Sequence, residues 1–150
     1  MSETSEAAPE KTTPPAGLRG KKYAHLFRSD CRAERIPFSV ESHPCWVDLR
    51  PMGKDSRDFY VRMAQRGSGQ IDFAAALDHL VDSTVVDFQL ARRVVLVGGQ
   101  HGDWEECGLP AGSKPSALLK GELEPLPGFW DDLLVECQRV NGMLEPDPGN

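Results

Sequence analysis

Two helical patterns held between two apolar extended segments constrain this chain more than any other feature. Cys45-Trp46-Val47-Asp48-Leu49-Arg50 is a short extended candidate rich in Trp and Val, and Thr84-Val85-Val86-Asp87-Phe88-Gln89-Leu90 places Val86, Phe88 and Leu90 on one alternating face. Between them, Asp55-Ser56-Arg57-Asp58 opens with a capping residue and an acid three positions on, after which Phe59, Tyr60, Met63 and Ala64 share a helical face. Arg66-Gly67-Ser68-Gly69 ends that helix. A second begins near Asp72 with Phe73, Leu77, Leu80, Val81 and Thr84 or Val85 in a stripe, and so short a connector predicts that the two pack antiparallel.

The flanks add a few pieces. Arg35-Ile36-Pro37-Phe38-Ser39-Val40 alternates polar and apolar, and Glu41-Ser42-His43-Pro44 is the turn that pairs it with residues 45–50 as a hairpin. Pro37 makes the first of these an edge strand, since proline cannot donate to a ladder. Tyr23 to Ala33 has weak helical spacing at Tyr23, Leu26 and Phe27 and reads as a short element or an anchoring arm. Val94 to Val97 follows the basic Ala91-Arg92-Arg93 as a separate extended piece, and Gly98-Gly99-Gln100-His101-Gly102-Asp103 is a glycine-rich turn. Prolines 110, 115, 125 and 127 divide the next stretch into turns and one short helix, Ser116 to Lys120. A closing helix starts at Pro127 and carries Trp130, Leu133, Leu134, Cys137 and Val140 in one stripe, which Met143 can extend, and Asn141-Gly142 gives the stop signal.

The fold expected is a small α+β domain, mostly helical, with a short N-terminal β-hairpin over residues 35–50 against helices 56–66 and 71–85. Residues 1–22 are Ser/Thr/Glu/Pro/Ala/Gly-rich with Met1 and Leu18 as their only large apolar side chains, and are read as a disordered leader without the apolar core of a secretory signal. Residues 23–144 form the single domain and 145–150 a flexible tail. The longest aliphatic run, Val94 to Val97, is far short of the roughly 20 residues a membrane helix requires.

Charge narrows the partners. Of the net −6, residues 1–22 carry +1, residues 23–70 carry +2 and residues 71–150 carry −9. So acidic a back half repels phosphate backbones, and the arginines of the front half are interleaved with acids, so nucleic acid and membrane are not expected as partners. The four cysteines lie 14, 62 and 30 residues apart with no Cys-x-x-Cys pair, which fits reduced thiols better than zinc or a disulfide framework.

Chemistry has little to work with. His101-Gly102-Asp103-Trp104-Glu105-Glu106-Cys107 mixes metal-ligand types, yet a single histidine in a glycine loop lacks the paired spacing of a zinc motif, and the stretch reads as an acidic surface loop with Trp104 tucked on the core. Ser68 sits at a helix end between two glycines, and the pairs Cys45/His43 and Cys107/His101 have no reason to face each other. No catalytic residue, cofactor or metal is expected. The stripe on the closing helix is either core or a docking face with Trp130 and the leucines as anchors, and the sequence leaves both open.

In its order of pieces the chain resembles the tail assembly chaperones of long-tailed, siphovirus-type bacteriophages. The resembling segments are Trp46 to Met52, like that family's opening strand leading into a helix; Leu80 to Leu90, like its helix running into a Val-x-Asp-Trp/Phe strand; and Leu126 to Leu134 with Val140-Asn141, like its Leu-Pro closing helix. The resemblance spans about residues 45–143. It implies a non-catalytic factor of the host cytoplasm that binds the tape measure protein, recruits tail tube protein, and is absent from the mature virion. Partner contacts would fall on Trp130, Leu133, Leu134 and Val140, and a homo-oligomer is compatible with such a role. The rival is a virion structural module, such as a tail terminator or connector subunit, in which strands dominate and assemble into a ring.

Overall fold

A computed structural model describes residues 17–66 and 70–143. The leader's first sixteen residues, the Gly67-Ser68-Gly69 helix end and the tail from residue 144 lie outside the described residues. Strands β1 (Glu34–Val40), β2 (His43–Leu49), β3 (Val85–Val95) and β4 (His101–Gly108) form one antiparallel sheet in the order β1-β2-β3-β4. Helices α1 (Lys54–Arg66) and α2 (Gln70–Thr84) link β2 to β3. Beyond the sheet come α3 (Pro115–Leu118), a π-helical turn Leu119–Leu123, and α4 (Pro127–Val140).

This architecture corrects the sequence reading. The chain is α+β, but it is not a mostly helical domain with a short N-terminal hairpin: the β1–β2 pair is half of a central four-stranded sheet. Two stretches account for the difference. Residues 85–90 and the first half of 94–97, read as separate pieces, are one strand through Ala91-Arg92-Arg93 that ends at Val95, because both arginines have cross-strand partners: Arg92 Nε donates to Glu105 (2.8 Å) and the Arg93 guanidinium lies 5.1 Å from the Trp104 ring centre. The acidic "loop" His101–Gly108 is the outer strand, where charged side chains are tolerated and protective because one edge faces water.

β1 is the opposite edge, as Pro37 requires, and it meets β2 through a two-residue turn with Glu41 in the left-handed region at φ 54°. The alternation of β2 is strict: Cys45, Val47 and Leu49 are buried, while Trp46 and Asp48 face the other side. On that outer face the Arg35 guanidinium stacks 3.6 Å from the Trp46 ring centre and forks onto both Asp48 oxygens at 2.8 and 3.0 Å. The inner face carries the helices. Val47, Leu49, Val85 and Phe88 pack with Leu80 and Val81 of α2, Leu119 of the π turn, and Leu133 and Cys137 of α4 in a single core.

Pairing of β2 with β3 slips at Asp48/Leu49, so that Asp48 opposes Asp87 but Leu49 opposes Val85. Val86 is the extra residue of this bulge. It therefore leaves the inward face that strict alternation assigned to it and is 40% exposed, while Val85 and Phe88 point into the core.

α1 and α2 pack closely, with the start of one beside the end of the other: His79 Nε2 donates to the Ser56 carbonyl (3.0 Å) and the Phe59 and His79 rings meet edge-on at 4.8 Å. In α2 the buried stripe runs through Ala76, Leu80, Val81 and Thr84, and Phe73 is half exposed rather than part of it. The first N–H groups of α3, like those of any helix, have no partner within it, and Asp82 of α2 takes one of them, accepting from the Ser116 backbone N–H (2.8 Å) and hydroxyl (2.7 Å). Residues Tyr23 to Ala33 form no regular helix beyond a 3-10 turn at Arg28–Asp30. No helix among the described residues is long and apolar enough to cross a membrane.

Candidate docking surface

Among the described residues, α4 borders three open clefts of the molecule. Pro127 opens it, its missing N–H being one that a first turn leaves unpaired anyway, and Asn141 closes it before Gly142 at φ 67°. Asn141 is buried and fully used: its Oδ1 accepts from the Met52 N–H (2.7 Å), and its Nδ2 donates to Thr84 Oγ1 (2.9 Å) and the Cys137 carbonyl (2.8 Å). That knot fixes the end of α4 against the end of α2 and the segment leading into α1.

The stripe named from the sequence divides between core and edge. Leu133 and Cys137 are buried, and the Cys137 thiol is pushed up to about 12 by burial, with Glu136 adding to the shift. Trp130, Leu134 and Val140 are half-buried against the same core. Trp130 lines an open shelf of about 360 Å³ with Leu119, Lys120, Glu124, Pro125 and Pro127, and Lys120 Nζ sits 5.5 Å from its ring centre while pairing with Asp78 at 2.6 Å.

Two further clefts flank the contact of Phe38 with Phe129. One, about 360 Å³, lies between β1 and α4 and is walled by Ile36, Phe38, Val47, Leu133 and Val135 with Asp132 and Glu136 at its rim. The other, about 420 Å³, runs under Leu90, Leu119, Leu123 and Leu126 toward Trp104. Sequence reasoning missed these clefts because each is built from β1 or β3 together with α4 or the π turn, and no local pattern reports such a junction.

The constellations weighed for chemistry are not assembled. His101 is an exposed strand end, and Cys107 is half-buried beside Arg92, with desolvation holding its thiol above the ordinary range and the Arg92 charge opposing that. The Cys45 thiol donates to the His43 carbonyl (3.7 Å), and the His43 ring stacks on Trp104 at 4.1 Å. Trp104 thus covers the β1–β2 turn and is not part of the central core. All four cysteines are free thiols, and among the described residues no three His, Cys, Asp or Glu side chains converge as a metal site would require. What the surface offers is apolar shelves beside charged rims.

No known family model, curated protein or solved structure matches this chain.

Proposed function

We propose that the chain is a tail assembly chaperone of long-tailed bacteriophages, binding the tape measure protein in the host cytoplasm and aiding assembly of tail tube protein around it. The observation that carries this reading is the Trp130 shelf: a half-buried tryptophan at the open edge of the apolar stripe of α4, bordered by Pro125 and Pro127. An aromatic side chain in a partly desolvated shelf is the usual anchor of a protein contact. Its place within Leu126-Pro127-Gly128-Phe129-Trp130, the closing segment of the family resemblance, links geometry to sequence. The acidic back half limits self-precipitation while these apolar surfaces stay open.

One observation favours the rival virion module. β3 runs past the end of its pairing with β2, and the β3–β4 hairpin ends in exposed Val95, Leu96 and Val97, a tip suited to contact between ring subunits. Co-expression with the tape measure protein followed by affinity capture, together with mass spectrometry of purified virions, separates the two. Capture of the tape measure protein and absence from virions are expected of a chaperone. Stoichiometric retention in the particle would replace it with the structural module.

A further inference from the structure

We propose that the basic N-terminal arm, residues 17–27, docks into the acid-rimmed cleft between β1 and α4 of a second copy of this chain. The arm reads Gly-Leu-Arg-Gly-Lys-Lys-Tyr-Ala-His-Leu-Phe, with Arg19, Lys21 and Lys22 and no acidic residue. Among the described residues it is fastened at its base, where Arg28 Nε donates to the Pro51 carbonyl and Arg50 Nη2 donates to the Arg28 carbonyl, both at 2.7 Å. Outward of that clasp, Leu18, Tyr23, Leu26 and Phe27 are 79, 54, 73 and 66% exposed. Four large apolar side chains standing in water on eleven residues mark an interaction segment rather than a solvated tether.

The cleft complements the arm in both respects. Its walls are the apolar Ile36, Phe38, Val47, Leu133 and Val135, and its rim carries Asp132 and Glu136. Glu136 shares Arg139 with Glu34, whereas neither Asp132 nor the adjoining exposed Asp131 has an ion-pair partner among the described residues. In the single copy the arm leaves the body beside Pro51 with its apolar side chains in solvent and the cleft open. Each copy therefore presents one arm and one cleft at different places on its surface, so two copies can exchange arms about a two-fold axis. Exposed ion pairs contribute little individually, so the apolar side chains supply most of the affinity and the charges its selectivity and salt dependence.

This inference does not depend on the chaperone reading, since capture at the Trp130 shelf and arm exchange use different flanks of α4 and fail separately. Sedimentation velocity of the full chain over a concentration series, at low and high salt, tests it. Association that rises with concentration and weakens with salt is expected. Leu26→Ser with Phe27→Ser, and separately Asp131→Lys with Asp132→Lys, should each weaken it by about tenfold or more. All four residues are exposed, and circular dichroism checks that the variants stay folded. Adding Lys21→Glu and Lys22→Glu to the Asp131→Lys, Asp132→Lys chain should recover association, because the charges are then exchanged between arm and cleft. A monomer at every concentration overturns the proposal, and protection of residues 17–27 from hydrogen exchange in that monomer would place the arm on its own body. Association that persists unchanged in the arm variant, or charge exchange without rescue, overturns it equally.

Discussion

Phe38 on the edge strand β1 and Phe129 in the first turn of α4 meet with ring centroids 5.6 Å apart and planes tilted by 35°. The pair forms the ridge between the two clefts and ties the N-terminal end of α4 to the sheet, far from the Asn141 knot that holds its other end. Each ring is only half-buried, so Phe38→Ala and Phe129→Ala should each cost less than the roughly 3–5 kcal/mol of a fully buried ring. A double-mutant cycle by urea denaturation should return a coupling of about 0.5–1.5 kcal/mol. Additive effects would mean that the rings are merely neighbours.

Asn141 answers for three elements at once, so its loss should be felt beyond α4. Asn141→Leu leaves the Met52 N–H and the Thr84 hydroxyl without their partner, at about 1–3 kcal/mol for each buried group left unpaired. Thr84→Val in the same background should add little, because it removes one of those orphaned groups. Equilibrium denaturation of the two single variants and the double checks this non-additivity.

Cys137 makes stability sensitive to alkali. Burial raises its folded pKa to about 12, while an unfolded cysteine loses its proton near about 8.5. Below the lower value both states carry the proton and the site contributes no pH dependence. Between the two the unfolded state binds fewer protons, so stability falls as pH rises, by up to about 1.4 kcal/mol per pH unit. Cys137→Ala should lower stability overall but flatten this alkaline slope. Urea midpoints measured from neutral pH upward would expose an unchanged slope, which would assign the effect to other groups.

Trp130 and Leu133 are three residues apart on one helix and should behave differently. Leu133→Ser removes a core side chain and should cost about 2–5 kcal/mol, enough to threaten the fold. Trp130→Ser empties an open shelf, so the domain should stay folded while capture of the tape measure protein drops. Full capture by a folded Trp130→Ser chain would remove that shelf from the binding surface.

Periodicity found the parts of the fold that local pattern governs. The hairpin around Glu41 and Ser42, the two linked helices and the helix from Pro127 all announce themselves through alternation, capping and proline placement. β4 did not, because an edge strand written His-Gly-Asp-Trp-Glu-Glu-Cys-Gly draws its stability from pairing with Arg92 and Arg93 rather than from aliphatic content. The turn of Val86 to solvent depends on a register slip against Leu49, a relation between residues that no window on the chain contains. On α4, spacing alone named Leu133 and Cys137 together with Trp130, and only the packing of the π turn beside the helix shows that Trp130 sits at an open margin.

Strand order follows chain order throughout this sheet, and that arrangement has a kinetic consequence. β1–β2 and β3–β4 are each local hairpins, whereas joining β2 to β3 closes a loop that contains both α1 and α2. Loop-closure entropy therefore concentrates the folding barrier at a single seam, the one where Val47 lies opposite Phe88. Conservative truncations at that seam, such as Val47→Ala, should slow folding, while truncations in the β3–β4 hairpin should mainly speed unfolding. Once the helix pair has brought the two hairpins together, the remaining structure can zip outward from the seam in both directions.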